Sequence, residues 1–89
     1  MIIISYDIEN DKTRNKFMKM LVKNGAIRLQ FSVYEVNNTK RVIDNITTKI
    51  NDYAKHFTPN DSVVVFEASS DSVKKYGNAI HRDKEILYF

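Results

Sequence analysis

The carboxylates of Asp7, Glu9 and Asp11 recur at every second position, after the apolar run of Ile2 to Ile4 and just ahead of Lys12, Arg14 and Lys16. Carboxylate oxygens are the hard donors that Mg²⁺ or Mn²⁺ takes. A strand-end aspartate beside a nucleic acid can hold such an ion, which activates water against a phosphodiester. Asp7 stands where that catalytic and metal-binding work would be done. The same residues also have purely structural uses: Asp7 can bond turn amides, Asp11 can cap a helix, and Glu9 can stay in water. Spacing alone leaves both readings open. It does exclude a calcium loop, because the sixth position counted from Asp7 is Lys12 rather than Gly and the twelfth is Met18 rather than Glu.

Cations suited to phosphate follow. Arg14, Lys16, Lys19 and Lys23 lie in the next segment, and Arg28 lies in the one after it. Arginine grips phosphate bidentately and lysine acts as a point charge, so Arg14, Lys16, Lys19 and Arg28 are the candidate nucleic-acid contacts. An ordinary solvated helix face accounts for such residues equally well. Lys40, Arg41 and Lys49, and later Lys74, Lys75, Arg82 and Lys84, carry the same ambiguity. Ser32 and the nearby Tyr34 could donate to a phosphate or to Asp7. No histidine lies near Ser32 in sequence to make it a nucleophile. His56 and His81 are isolated and are assigned to no site.

The elements that must position these residues can be read from periodicity. Residues 2–7, β-branched and aromatic, read as a central strand apolar on both faces. Phe17, Met18, Met20, Leu21 and Val22 predict a helix over 12–24, with Asp11 available as N-cap and Gly25 as its stop. The segment 26–36 alternates, with Ile27, Leu29, Phe31 and Val33 on one face and Arg28, Gln30, Ser32 and Tyr34 on the other, which predicts one long strand bending near Ser32. Ile43, Ile46, Ile50, Tyr53, Ala54 and Phe57 form a helical stripe capped by Asn38 or Thr39 and closed by Pro59, with His56 in its last turn. Residues 61–67 read as a second strand apolar on both faces, 73–77 as a short edge strand, and 85–89 as a strand whose partner sequence order does not supply. Taken literally the order is β-α-β-α-β-β. Two helices cover only one face of a small sheet, so the other apolar face calls for a second copy of the chain.

Composition sets the class. At 89 residues the chain makes one domain, over 1–89. A domain of this size hides only about 60–65% of its unfolded surface, another reason to expect a homodimer. There is no cysteine, which excludes disulfides, zinc-thiolate sites and thiol catalysis. The first residues lack the basic leader and cleavage site of a signal peptide, and no apolar run approaches a membrane span, so a cytoplasmic protein with no membrane association is expected. Fourteen Lys and Arg against eleven acids give +3, a modest preference for polyanions.

The segment "YDIENDKTRNKFMKML" followed by "NGAIRLQFSVYEV" resembles the small CRISPR-associated endonucleases of the Cas-two family. The shared pattern is a strand ending in Tyr6-Asp7, a basic helix with Arg14 and Lys16, and a strand carrying Gly25, Arg28, Gln30, Ser32, Val33, Tyr34 and Glu35. Thr13 and Asn15 stand where relatives are often basic.

The resemblance implies an α+β, ferredoxin-like β-α-β-β-α-β sandwich and a symmetric homodimer through the other sheet face. In that fold two helices lie on one face of a four-stranded antiparallel sheet. The C-terminal segment 79–89 would supply an extra strand pairing at the dimer interface, and the strands at 26–36, 61–67 and 73–77 would supply the sheet. It also implies that Asp7 binds Mg²⁺ or Mn²⁺ near the two-fold axis, that Arg14 and Arg28 face phosphates, and that Tyr6, Ser32 and Tyr34 support the site. The resemblance implies, as the first expectation, a CRISPR adaptation protein that binds duplex DNA as a homodimeric scaffold between CRISPR integrase subunits during spacer acquisition, with Mg²⁺-dependent cleavage of RNA or DNA at Asp7 as an additional capacity. The alternative on the same fold is a stand-alone toxin-type ribonuclease, and from a different class an interaction module that binds no nucleic acid.

Overall fold

The computed structural model describes residues 1–79. Its elements are β1 (Ile2–Asp7), α1 (Asp11–Lys23), β2 (Ile27–Gln30), β3 (Val33–Val36), α2 (Lys40–Ala54) and β4 (Ser62–Glu67), with a 3₁₀ turn at Ser70–Ser72. The four strands form one antiparallel sheet in the order β2-β3-β1-β4. This β-α-β-β-α-β order is the ferredoxin-like arrangement. It corrects the literal β-α-β-α-β-β order: the 26–36 segment is a hairpin, and its bend near Ser32 is a full reversal at Phe31 and Ser32.

The reversal reassigns the faces. Tyr34 and Val36 enter the core, whereas Phe31, expected on the apolar face, stands 74% exposed. Ile2, Ile4 and Tyr6 of β1 pack with Phe17 and Leu21 of α1 and with Ile46 and Ile50 of α2, so both helices cover that face. Phe17 is fully buried, worth about 1.5–3 kcal/mol of apolar transfer. Its ring meets Tyr6 edge-on at 4.9 Å and Tyr53 at 5.4 Å, which ties β1, α1 and α2 at one point.

The first helix begins at Asp11, and its N-cap is Asn10 rather than Asp11: the Asn10 side chain accepts from the Thr13 amide at 2.9 Å. It ends where Gly25 takes φ +97°. The Gly25 amide donates to the Val22 carbonyl and the Ala26 amide to that of Leu21, a Schellman motif closed by the buried Ala26 and Leu21. Thr39 caps α2 by accepting from the Val42 amide. That helix stops at Ala54, so His56 and Phe57 lie past its end rather than in its last turn.

The strand β4 lies at the sheet edge, with Val64, Val65 and Phe66 exposed by 57%, 39% and 49%, and not at a centre covered on both faces. Residues 73–76 form no strand, against the expectation of one over 73–77. They lie instead over the face of β1 opposite the helices, where Val73, Lys75 and Tyr76 line a cavity with Ile3, Leu29 and Phe66. The strand expected at 85–89, and all of the 79–89 segment beyond Ala79, fall outside the described residues. No helix among the described residues is long and apolar enough to cross a membrane.

Candidate nucleic-acid interface

Along β1 the side chains alternate, so with Ile2, Ile4 and Tyr6 in the core, Ile3, Ser5 and Asp7 point to the opposite face of the sheet. Asp7 is the last residue of the strand, is exposed, and pairs in register with Ser62 of β4. It has no ion pair or side-chain hydrogen bond among the described residues.

The acidic triplet does not converge. Glu9 accepts from the Asn60 side chain at 2.8 Å, and its amide donates to Asp61 Oδ1 at 2.9 Å, which fastens the β1–α1 loop to the loop before β4. Asp11 pairs with Arg14 one turn along the helix. No group of three or more potential metal ligands occurs among the described residues. One outward carboxylate suits Mg²⁺ in its usual mode, in which one or two carboxylates, substrate phosphates and waters complete the shell. It does not suit a preformed protein cage.

Arg14 and Arg28, far apart in sequence, come together. Arg28 sits opposite Tyr34 in the β2–β3 register, on the helix side of the sheet. With Arg14, Met18, Tyr6, Tyr34 and Phe31 it lines a cavity of ≈120 Å³. Arg14 Nη1 donates to the Ile8 carbonyl at 3.2 Å, and Nη2 to Asp11, so part of its donor set is spent holding the β1–α1 loop. The Arg28 guanidinium lies 5.1 Å from the centre of the Phe31 ring, and its Nε donates to the Gln30 carbonyl at 3.4 Å.

Tyr6 and Tyr34 stack with centroids 6.0 Å apart between this cavity and the core. Burial, then the neighbouring Tyr34, pushes the Tyr6 phenol up to about 12 against the opposing pull of Arg28 and Arg14. Tyr6 is therefore a neutral hydrogen-bonding group near pH 7 and not a base. Ser32 is half-buried in the hairpin turn and contributes its carbonyl, which accepts from the Tyr6 amide at 3.1 Å and locks the turn against the end of β1.

Lys16 and Lys19 are exposed, but they belong to a different surface. With Lys12 and Lys23 they recur at helical spacing along the side of α1 roughly opposite Arg14. Lys40 pairs with Asp44 at 2.9 Å, and Lys75 pairs with Glu35. His56 is exposed. Two features were not singled out from sequence: the outward Phe31 and the burial of Glu35 beneath Lys75. An aromatic at a hairpin tip is a signal only once the hairpin is known.

The family model described as CRISPR associated protein Cas2 matches residues 1–76. A protein named CRISPR-associated endoribonuclease Cas2 1, from Methanospirillum hungatei, is 31% identical over 75 residues, covering 83% of this chain and 76% of its own. Among solved structures, the fold matches that of a hypothetical protein, TT1823, from Thermus thermophilus. That match has a TM-score of 0.66 and 22% identity, and covers 85% of this chain and 88% of the other. The family match runs from the first strand through the hairpin and β4, the elements that carry Asp7, Arg14 and Arg28, and the chain belongs to the CRISPR-associated Cas2 family.

Proposed function

We propose that this protein is a homodimeric, nucleic-acid-binding CRISPR protein that hydrolyses RNA phosphodiesters with Mg²⁺, or Mn²⁺, held at Asp7. The observation that carries this reading is the lone exposed carboxylate at the end of β1, on the sheet face that bears the exposed Val64 and Phe66. A second copy laid against that face would bury the apolar residues and bring a second Asp7 close to the first. The bound ion would supply a water of lowered pKa. Arg28 and Arg14 lie on the helix side of the sheet and Asp7 on the other, so the arginines would hold phosphates of the strand away from the bond cleaved at Asp7, with Tyr6, Ser32 and Tyr34 fixing the geometry behind them. The endoribonuclease name of the Methanospirillum relative supports RNA as the substrate.

The same basic surface suits a scaffold that grips duplex DNA between integrase subunits, a role that needs phosphate contacts and no hydrolysis. The deciding experiment compares the parent chain with Asp7→Ala and Asp7→Asn for RNA cleavage with and without Mg²⁺, and for binding of RNA and duplex DNA. Loss of Mg²⁺-dependent cleavage with binding retained supports the nuclease. Cleavage at the parent rate in both variants rejects Asp7 as its centre. A parent chain that binds duplex DNA but cleaves nothing is a scaffold.

A further inference from the structure

Phe31 occupies a position where hairpin chemistry favours small or polar residues. It is the first residue of the reversal between β2 and β3 and is 74% exposed. It does not belong to the buried core cluster. One face of the ring is covered by the Arg28 guanidinium, 5.1 Å from its centre, and that arginine is itself steadied by the Gln30 carbonyl. Arg14 lines the same small cavity.

Resting on the nucleic-acid reading above, we infer that Phe31 is a stacking platform for one unpaired nucleobase, which makes this site discriminate single-stranded from paired nucleic acid. A base is a flat, apolar-faced group that arrives with a phosphate attached, and an outward ring beside two guanidinium groups meets both demands. At ≈120 Å³ the cavity is well below the roughly 300 Å³ needed to enclose a small ligand, so it admits the edge of a planar group lying on the ring. A second copy of the chain is a poor occupant, because two-fold pairing here would set Arg14 and Arg28 near their own equivalents. One ring is also too small a patch to anchor an apolar protein partner. In a duplex the bases are already stacked on each other and the ring has no face to receive.

The test uses fluorescence anisotropy at one fixed salt concentration, with a labelled single-stranded RNA and a blunt RNA duplex of the same length. The chains are the parent, Phe31→Ala, Phe31→Leu and Phe31→Trp, each first checked for an unchanged melting curve. The Ala and Leu variants should bind the single strand about 5- to 150-fold more weakly, while duplex affinity shifts less than about twofold. The Trp variant should keep parent affinity, and its fluorescence should be quenched by the single strand only. Equal loss on both RNAs, or none on the single strand, overturns the platform while leaving nucleic-acid binding intact. A parent chain that binds neither RNA overturns the underlying reading itself.

Discussion

Lys75 reaches back across 40 residues to pair with Glu35, a carboxylate only 6% exposed in the middle of the sheet. Glu35 stands in register with Ile3 on one side and Ile27 on the other, so its neighbours on that face are apolar. The pair fastens the segment after β4 over the face opposite the helices. Removing the lysine strands a buried charge, which typically costs several kcal/mol; the Lys75 side chain is 31% exposed, so water softens the loss. Lys75→Ala should destabilise the chain by about 1–3 kcal/mol in chemical denaturation. Glu35→Leu introduced on top of it should recover most of that loss. If the single variant unfolds at the parent midpoint, the pair contributes nothing to stability.

That pair shows what the sequence could and could not carry. Phe17 and Leu21 of α1, Ile46 and Ile50 of α2 and the Gly25 stop follow from local periods and stand where those periods put them, whereas Val22 of the α1 run is 50% exposed, Ala54 of the α2 stripe is exposed and Phe57 lies past the helix end. The hairpin is hidden because Phe31 and Ser32 contain no glycine, asparagine or proline, and the apolar alternation runs straight through the turn. The edge position of β4 is hidden because Val63, Val64, Val65 and Phe66 have the composition of a central strand. Asp7 was legible as a strand-end acid. The meeting of Arg14 with Arg28 was not, since it depends on which strand the helix lies beside.

The loop before β4 should report on acid. Asp61 accepts hydrogen bonds from the amides of Glu9 and Thr58, which hold its carboxyl below its ordinary value of 3.8. A carboxyl depressed in the folded state contributes stability that is present above its unfolded value and is lost as pH falls through the lower folded one. Asp61→Asn should therefore flatten the fall in stability on the acid side of about pH 4, as followed by thermal melts across an acid pH series. A variant with the parent's acid profile would falsify this assignment.

At the alkaline end the expectation belongs to Tyr6. Its phenol, raised from 10.0 to about 12, stays neutral where an unfolded tyrosine would ionise. The resulting stability is whole below pH 10 and is lost as pH rises toward 12. Ultraviolet titration of phenolate should show a late-ionising component that Tyr6→Phe removes. If the phenylalanine variant titrates like the parent, the late component belongs to another tyrosine. If no late component exists, Tyr6 is more open to water than its packing against Phe17 indicates.

The arrangement of cations makes a final prediction about the path of the bound strand. Arg28 and Arg14 share one cavity, whereas Lys16 and Lys19 lie on the far side of α1, so a single strand crossing the hairpin tip meets the arginines and not the lysine stripe. Each phosphate contact adds about 0.7 to the slope of log affinity against log salt for a single strand. Arg28→Ala should lower that slope by about one contact and weaken all RNA sequences alike, because a phosphate contact carries no base information. Lys16→Ala with Lys19→Ala should leave the slope unchanged. Arg14 is the less clean probe, since its loss also frees the Ile8 carbonyl and Asp11 that it holds. Should the double lysine variant flatten the slope while Arg28→Ala does not, the strand runs along the outer face of α1, and the hairpin tip with its exposed ring is not on its path.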